Sequence, residues 1–188
     1  MRFHTLLRGA SVVLAGLALA ACNDEPDNPF DDWSAQVDTV TLFTVDDPGY
    51  QGLPSAYDIK QTRTQRIEDN NASGQWEFAL TGGVDGPLTI TPLGAFFGVD
   101  NNAGIATLEG EVFEDLDRAP SASDAYVTHV PIELELGVVY VVRARTSGNC
   151  LQFAKMEPLE IDEAENTFRF RVMVNPFCGD LDLIPPED

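Results

Sequence analysis

The chain has 188 residues, with 31 Asp and Glu against 11 Lys and Arg, so its formal charge is −20 at neutral pH. A surface that binds nucleic acid or an anionic membrane by charge needs clustered Lys and Arg, which this composition excludes. The length fits one ordinary domain.

The first 21 residues have the pattern of an export signal. Arg2 and Arg8 precede a run of small apolar residues, Ala10 to Ala21, that is too short for a membrane-spanning helix, which needs about 20 residues. The sequence Leu19-Ala20-Ala21-Cys22 resembles the lipobox of bacterial lipoproteins. This resemblance implies that Cys22 carries a diacylglyceryl group and becomes the first mature residue. An ordinary secretory signal, cleaved after Ala21, is the alternative.

The number of cysteines favours the lipid-anchored interpretation. An exported chain with three Cys has an odd thiol, and a lipid on Cys22 leaves Cys150 and Cys178 as a pair. Two or more acyl chains anchor a protein stably. We therefore expect attachment to a membrane through lipid and a location in the extracytoplasmic cell envelope, with the outer membrane favoured over the inner one.

Residues 22–32 are predicted to form an acidic tether. Between Asn23 and Asp32 the chain has five acids and two Pro, a composition that buries no apolar face and resists helix formation. An anionic lipid surface would repel this segment, so it would hold the folded part away from the membrane. Residues 33–188 are then predicted to be the folded domain.

From Trp33 onward the sequence alternates apolar and polar residues over short runs that end at Gly, Pro, Asn or Asp, which is typical of antiparallel strands. The predicted fold is all-β, a single antiparallel sandwich or barrel-like domain with at most one short helix. The predicted strands are 37–45, 75–80, 88–91, 131–136, 138–145, 151–161 and 167–174.

Two local patterns refine this prediction. The run from Val112 to Arg118 is the one helical candidate, ended by Pro120. The segment 131–136 alternates so that Glu133 and Glu135 would face water while its other side faces the core, and that inner side holds Ile132, Leu134 and Leu136. The run from Val138 to Val142 is apolar on both faces, which favours a central strand.

The last two predicted strands form a hairpin that predicts a disulfide. Cys150 and Cys178 each lie fourteen residues from Ala164, the middle of the turn, so symmetric pairing sets them opposite each other within disulfide range. The same register matches Phe168 with Glu160, whereas Ile161 would suit it better one step along. We therefore expect a bulge near Pro158, which cannot donate to the ladder.

The sequence contains no recognisable catalytic motif. His129 is the only histidine after the signal, so a histidine-based triad or multi-histidine metal site has only this residue to draw on. The turns at 69–74 and 100–104 lack calcium-loop spacing and fit ordinary turn chemistry. Gly94 to Gly98 frames a hydrophobic segment that suits a binding rim or a buried turn. We expect no metal, no cofactor and no catalytic residue.

A second resemblance covers about residues 76–174, which are similar to the HmuY-like family of haem-scavenging outer-membrane lipoproteins. It rests on Trp76 to Leu80, Asp100 to Ala106, Phe113 to Leu116 with Ala119-Pro120, and VYVVRAR followed by LQFAKME. The resemblance implies a β-rich fold and haem binding. Two axial His ligands cannot come from His129 alone, so Met156, Met173 or a Tyr would have to supply the second ligand, and we assign no haem ligand.

The resulting hypothesis is a non-enzymatic, membrane-anchored lipoprotein that acts as a binding or envelope-assembly module, with an envelope protein or a small hydrophobic ligand as its partner. A haem-like carrier is the first alternative. A carboxylate-dependent hydrolase is the second, although the abundance of acids selects no particular pair.

Overall fold

The structure is a computed structural model that describes residues 33, 36–69, 74–84, 86–146, 148 and 150–186. The predicted signal, lipobox and tether lie outside these residues. Ten strands occur in chain order: β1 (Val37–Phe43), β2 (Ala56–Asp58), β3 (Arg63–Gln65), β4 (Phe78–Gly82), β5 (Leu88–Pro92), β6 (Gly104–Leu108), β7 (Ile132–Glu133), β8 (Val139–Arg143), β9 (Phe153–Asp162) and β10 (Thr167–Val174). One α-helix, α1 (Leu93–Phe97), and two 3-10 turns, Pro48–Tyr50 and Ser123–Ala125, complete the secondary structure described.

The strands form two antiparallel five-stranded sheets. The first has the order β1-β10-β9-β8-β6 and the second the order β3-β2-β4-β5-β7. One continuous hydrophobic cluster contains side chains of both sheets, including Phe170 and Met156 from the first and Tyr57, Phe78 and Ile90 from the second. The predicted all-β sandwich with one short helix is therefore confirmed.

A second apolar cluster lies on the outer face of the first sheet. Strand residues Val139, Val141 and Met173 are buried there beneath Phe113 and Leu116, which belong to the long connection between β6 and β7. The C-terminal segment holds this connection in place, because the Ala119 N–H donates to the Leu181 carbonyl and the Leu183 N–H to the Asp117 carbonyl. A strand such as β8 is therefore buried on both faces, as its apolar sequence predicted.

This covering layer explains why the predicted helix at Val112–Arg118 is wrong. The segment forms turns, in which the Asp115 and Leu116 N–H groups both donate to the Val112 carbonyl. Phe113 and Leu116 are buried against the sheet while their neighbours stay exposed. One turn is enough to bury two side chains that lie three residues apart, and the following Pro120 prevents the turn from continuing as a helix.

Three strands were not predicted, because β2, β3 and β6 have only three to five residues and little alternation.

The predicted strand at 131–136 shortens to β7, and Leu136 is exposed rather than inward. Ile132 and Leu134 do pack on the core and Glu133 and Glu135 are exposed, as predicted. Leu136 differs because a turn with a left-handed Gly137 follows the strand and takes its side chain away from the core.

The terminal hairpin agrees with the predicted register. Phe168 pairs with Ile161 and Phe170 with Pro158, and the register shifts by one residue between Arg169 and Phe170. This is the bulge expected near Pro158. Beyond it the symmetric register holds, and Cys150 and Cys178 form a disulfide with Cα atoms 4.8 Å apart.

Helix α1 packs closely against neighbouring backbone. A Cβ atom on Gly94 would lie 2.8 Å from the Thr128 carbonyl oxygen and 3.0 Å from that of Val99. We expect Gly94→Ala to destabilise the fold by about 1–3 kcal/mol, because backbone atoms cannot swing aside as a side chain can. Urea unfolding of both variants measures this, with Gly86→Ala as the matched control.

Gly86 has only the Gly83 carbonyl oxygen, at 3.7 Å, near its added Cβ, so Gly86→Ala should change stability by less than about 0.5 kcal/mol. Equal unfolding midpoints for the two variants would contradict the close packing of α1.

Candidate functional site

A buried group of charged side chains lies where β2 and β8 end and β4 begins. Asp58 is the last residue of β2, and Glu77 directly precedes β4, the strand that pairs with β2. Arg145 follows β8 of the opposite sheet. Asp58 and Glu77 are both fully buried, and the Arg145 side chain is 16% exposed. The group therefore joins the two sheets at one end of the sandwich.

Hydrogen bonds satisfy most of this charge. One guanidinium nitrogen of Arg145 donates to both carboxylates, at 3.3 Å to Asp58 Oδ1 and at short range to Glu77 Oε1. Glu77 Oε2 accepts the Ile59 N–H at 2.7 Å, and Asp58 Oδ1 also accepts the Lys60 N–H at 3.1 Å. Asp58 and Glu77 thus share the guanidinium of Arg145, and these hydrogen bonds connect the two sheets at this end of the sandwich.

Burial controls the ionisation of the group. Removal from water raises the pKa of Glu77 above its usual value, although the charge of Arg145 and the Ile59 N–H both lower it. Burial also lowers the pKa of Lys60, helped by the positive charge of Arg145. The two acidic and two basic side chains are therefore close enough to influence one another.

Two buried polar atoms beside this group have no hydrogen-bond partner within the described part of the chain, the Tyr57 hydroxyl and Asp58 Oδ2. Tyr57 is 1% exposed. Burial raises the pKa of Tyr57 strongly, and the negative charge of Asp38 adds to this shift. The hydroxyl therefore lies within electrostatic reach of Asp38. Unpartnered buried polar groups are uncommon and need an explanation.

A cleft of about 280 Å³ adjoins these groups. Its charged lining side chains are Asp38 and Lys60. The remaining lining residues are Trp33, Gln36, Ile59, Thr62, Gln152, Val174 and Pro176. Lys60 Nζ donates to the Cys150 carbonyl at 3.5 Å, so the disulfide-linked segment borders the cleft.

A larger depression of about 420 Å³ lies at the turn of the β9–β10 hairpin. Its lining consists of Leu134, Leu136, Glu160, Ile161, Asp162 and Glu163. Three acids line it without a basic side chain, and the unpartnered Tyr57 hydroxyl and Asp58 Oδ2 lie elsewhere. The cleft beside Lys60 is therefore the better candidate site.

The cleft is partly open to solvent, whereas the buried carboxylates cannot reach a substrate. Asp58 and Glu77 have no exposed surface, and a general acid or base must come within hydrogen-bond distance of the reacting group. The cleft offers one carboxylate, one ammonium and three neutral hydrogen-bonding side chains beside apolar walls. Such a mixture suits recognition of a small polar molecule.

The candidate ligands considered from the sequence do not come together. His129 is exposed, with Nε2 3.7 Å from Asp100 Oδ1. Met156 is buried between the sheets, while Met173 lies in the cluster on the outer face of the first sheet. No two of these three residues therefore face a common space. Cys22 lies outside the described residues, and Cys150 and Cys178 form the disulfide described above.

The two predicted turns and the glycine-framed segment have ordinary structural roles where they are described. Asn101 Oδ1 accepts the Ala103 N–H at 2.7 Å, as in an Asx turn. Part of the 69–74 turn lies outside the described residues. The segment Gly94 to Gly98 covers most of α1 and its C-cap, and the rings of Phe96 and Phe97 contact Trp76.

Sequence reasoning missed Asp58, Glu77, Arg145 and Lys60. One signal was available, since Glu77 stands between Trp76 and Phe78 in a strand-like run where charge is unusual. Asp58 and Lys60 lie two residues apart, but Arg145 belongs to a segment far along the chain. Their meeting depends on how the two sheets pack.

Across the described ranges, no three His, Cys, Asp or Glu side chains are grouped so as to hold a metal ion. Among the helices in the part of the chain that the structure describes, none has the length and hydropathy that a membrane span needs. Comparison with protein-family models, with curated proteins and with solved structures finds no match to this chain.

Proposed function

We propose that the chain is a non-enzymatic, lipid-anchored binding module of the cell envelope. The observation that carries this proposal is the disulfide, which uses Cys150 and Cys178 and leaves Cys22 as the third cysteine. That residue ends the lipobox-like sequence. A disulfide also fits an oxidising compartment outside the cytoplasm.

The arrangement along the chain supports the same function. Cys22 would carry the lipid, residues 22–32 would act as an acidic tether, and the sandwich would present its cleft. The outer membrane is favoured over the inner one. With a charge of −20 on the whole chain, the domain would be repelled from anionic lipid and face the aqueous compartment.

Binding is favoured over catalysis by the accessibility of the charged groups. The paired carboxylates beside the cleft, Asp58 and Glu77, are fully buried and share Arg145. A carboxylate-dependent hydrolase would need such a pair open to substrate. The half-buried charges that line the cleft, Asp38 and Lys60, are of opposite sign and suit ligand recognition.

The placement of possible axial ligands disfavours the haem-carrier alternative. Met156 and Met173 lie on opposite faces of the first sheet, so one haem iron cannot bind both. The cleft has a mainly polar lining, and a small polar ligand fits it better than a porphyrin. An envelope protein partner remains compatible with the anchored arrangement.

The experiment that tests anchoring is labelling with a radioactive fatty acid in a bacterial host. We expect the wild-type chain to incorporate label and fractionate with membranes, and Cys22→Ser to lose the label and become soluble, since the thiol is the site of acylation. The matched control is the Cys150→Ser/Cys178→Ser double variant, which should keep the label. Unlabelled, soluble wild-type protein would contradict the proposal.

A pull-down of the acylated protein from its native envelope tests the binding function. A stoichiometric protein partner would support an assembly role, and a co-purified small molecule would support a carrier role. Recovery of the protein with neither, from membranes of growing cells, would count against a binding module.

A further inference from the structure

The cleft has opposite charges on its lining. Asp38 Oδ1 accepts a hydrogen bond from Gln36 Nε2 at 3.1 Å, and no donor to Oδ2 occurs among the described residues. Lys60 Nζ makes one long hydrogen bond, 3.5 Å, to the Cys150 carbonyl. An ammonium has three donors, so Lys60 has capacity for an anionic group in the cleft.

The net charge of the chain influences which ligands approach the cleft. A net charge of −20 attracts cations and repels simple anions. A purely cationic ligand would, however, meet the ammonium of Lys60. A molecule with both a positive and a negative group matches both charged side chains.

We propose that this cleft binds a small zwitterion of the free amino acid class, with its ammonium at Asp38 and its carboxylate at Lys60. The inference deepens the proposed binding function and rests on it. The cleft volume, about 280 Å³, accommodates a single amino acid of ordinary size.

Calorimetric titration of the detergent-solubilised mature chain, purified from membranes, tests the proposal. The probes are the twenty free amino acids, and for those that bind, their N-acetyl and carboxamide derivatives. We expect at least one amino acid to bind. Each derivative, which removes one charge, should bind at least about tenfold more weakly, as expected for loss of a charged hydrogen bond. No heat with any amino acid up to about 10 mM would overturn the proposal.

Two variants assign the orientation. Asp38→Asn should weaken binding of the free amino acid by at least about tenfold but leave binding of the N-acetyl derivative nearly unchanged. Lys60→Met should likewise weaken binding of the free amino acid and leave binding of the carboxamide derivative nearly unchanged. The control Glu111→Gln, at an exposed position away from the cleft, should bind within about twofold of wild type. Equal binding by all three variants would place the ligand elsewhere and overturn the assignment.

Urea unfolding of each variant checks that it is folded, and a folded variant that retains full affinity counts against the proposal. Failure here is distinguishable from failure of the anchoring proposal, because acylation of Cys22 is measured separately. An envelope protein captured in the pull-down, together with no amino acid binding, would leave the binding module standing and remove the zwitterion ligand.

Discussion

Replacement of Arg145 by methionine is expected to destabilise the protein by about 3–5 kcal/mol, because it leaves two buried carboxylates without their shared cation. Arg145 donates to Asp58 and Glu77, both of which are fully buried. Methionine approximates the length of the aliphatic part of Arg, so the loss reports mainly on charge. Urea unfolding at neutral pH measures it.

The matched control is Arg118→Met. Arg118 forms an ion pair with Asp182 at 2.7 Å, but both side chains are more than half exposed. Exposed pairs contribute about 0–1 kcal/mol, so this variant should unfold near the wild-type midpoint. Similar losses in the two variants would show that Asp58 and Glu77 find other partners when Arg145 is removed.

The penalty of Arg145→Met should grow as the pH rises. Burial raises the folded-state pKa of Glu77 above its usual value of 4.5, so this group's contribution to stability is fully present below that value and is lost as the pH rises through the folded pKa. Arg145 lowers the folded-state pKa of Glu77, so removal of Arg145 raises that pKa. The contribution of Glu77 to stability is then lost over a pH range that extends to higher pH. The variant should therefore lose more stability at about pH 8 than at about pH 5. A pH-independent difference would contradict this assignment.

The Cys150→Ala/Cys178→Ala double variant is expected to be less stable by about 3–4 kcal/mol. The disulfide closes a chain separation of 28 residues around the β9–β10 hairpin, and its removal restores conformational freedom to the unfolded chain. Cys178 is exposed and Cys150 only half-buried, so little apolar packing is lost with the sulfur atoms. Urea unfolding under oxidising conditions measures the difference.

Dithiothreitol supplies the control for this prediction. It should destabilise the wild-type protein by a similar amount and leave the double variant unchanged, because only the wild type has a bond to reduce. A double variant as stable as the oxidised wild type would show that the hairpin ends are held by other contacts, such as the Gly179 N–H bond to the Leu151 carbonyl at 2.7 Å.

The terminal hairpin was predictable because its determinants are local. Phe168, Phe170 and Val172 alternate with polar residues, and all three are buried between the sheets. Pro158 lacks an N–H donor, and the register shift lies beside its pairing with Phe170. Once the turn and the bulge are fixed, the pairing of Cys150 and Cys178 follows from counting residues.

Other features depended on contacts between distant segments. The segment 112–118 has a composition compatible with a helix, yet the outer face of the first sheet takes Phe113 and Leu116 into an apolar cluster. Lys155, one of only two lysines, is 1% exposed. Its ammonium donates to the Leu116 carbonyl and lies 5.0 Å from the centre of the Phe113 ring. Burial of a lysine is stabilised here by partners 39 to 42 residues away, which no local pattern reveals.

Residue order alone was enough to predict the strand-rich class, the alternating faces of the long strands, the bulge and the disulfide, because each depends on a period of two residues or on a short count. The candidate site, in contrast, arises only from the packing of the folded protein. Asp58, Glu77 and Arg145 come from three segments that meet because the two sheets pack face to face, and burial then gives their charges an influence that they would not have in water. The cleft at Asp38 and Lys60 results from the same packing, since its lining comes from strands and connections at one end of both sheets.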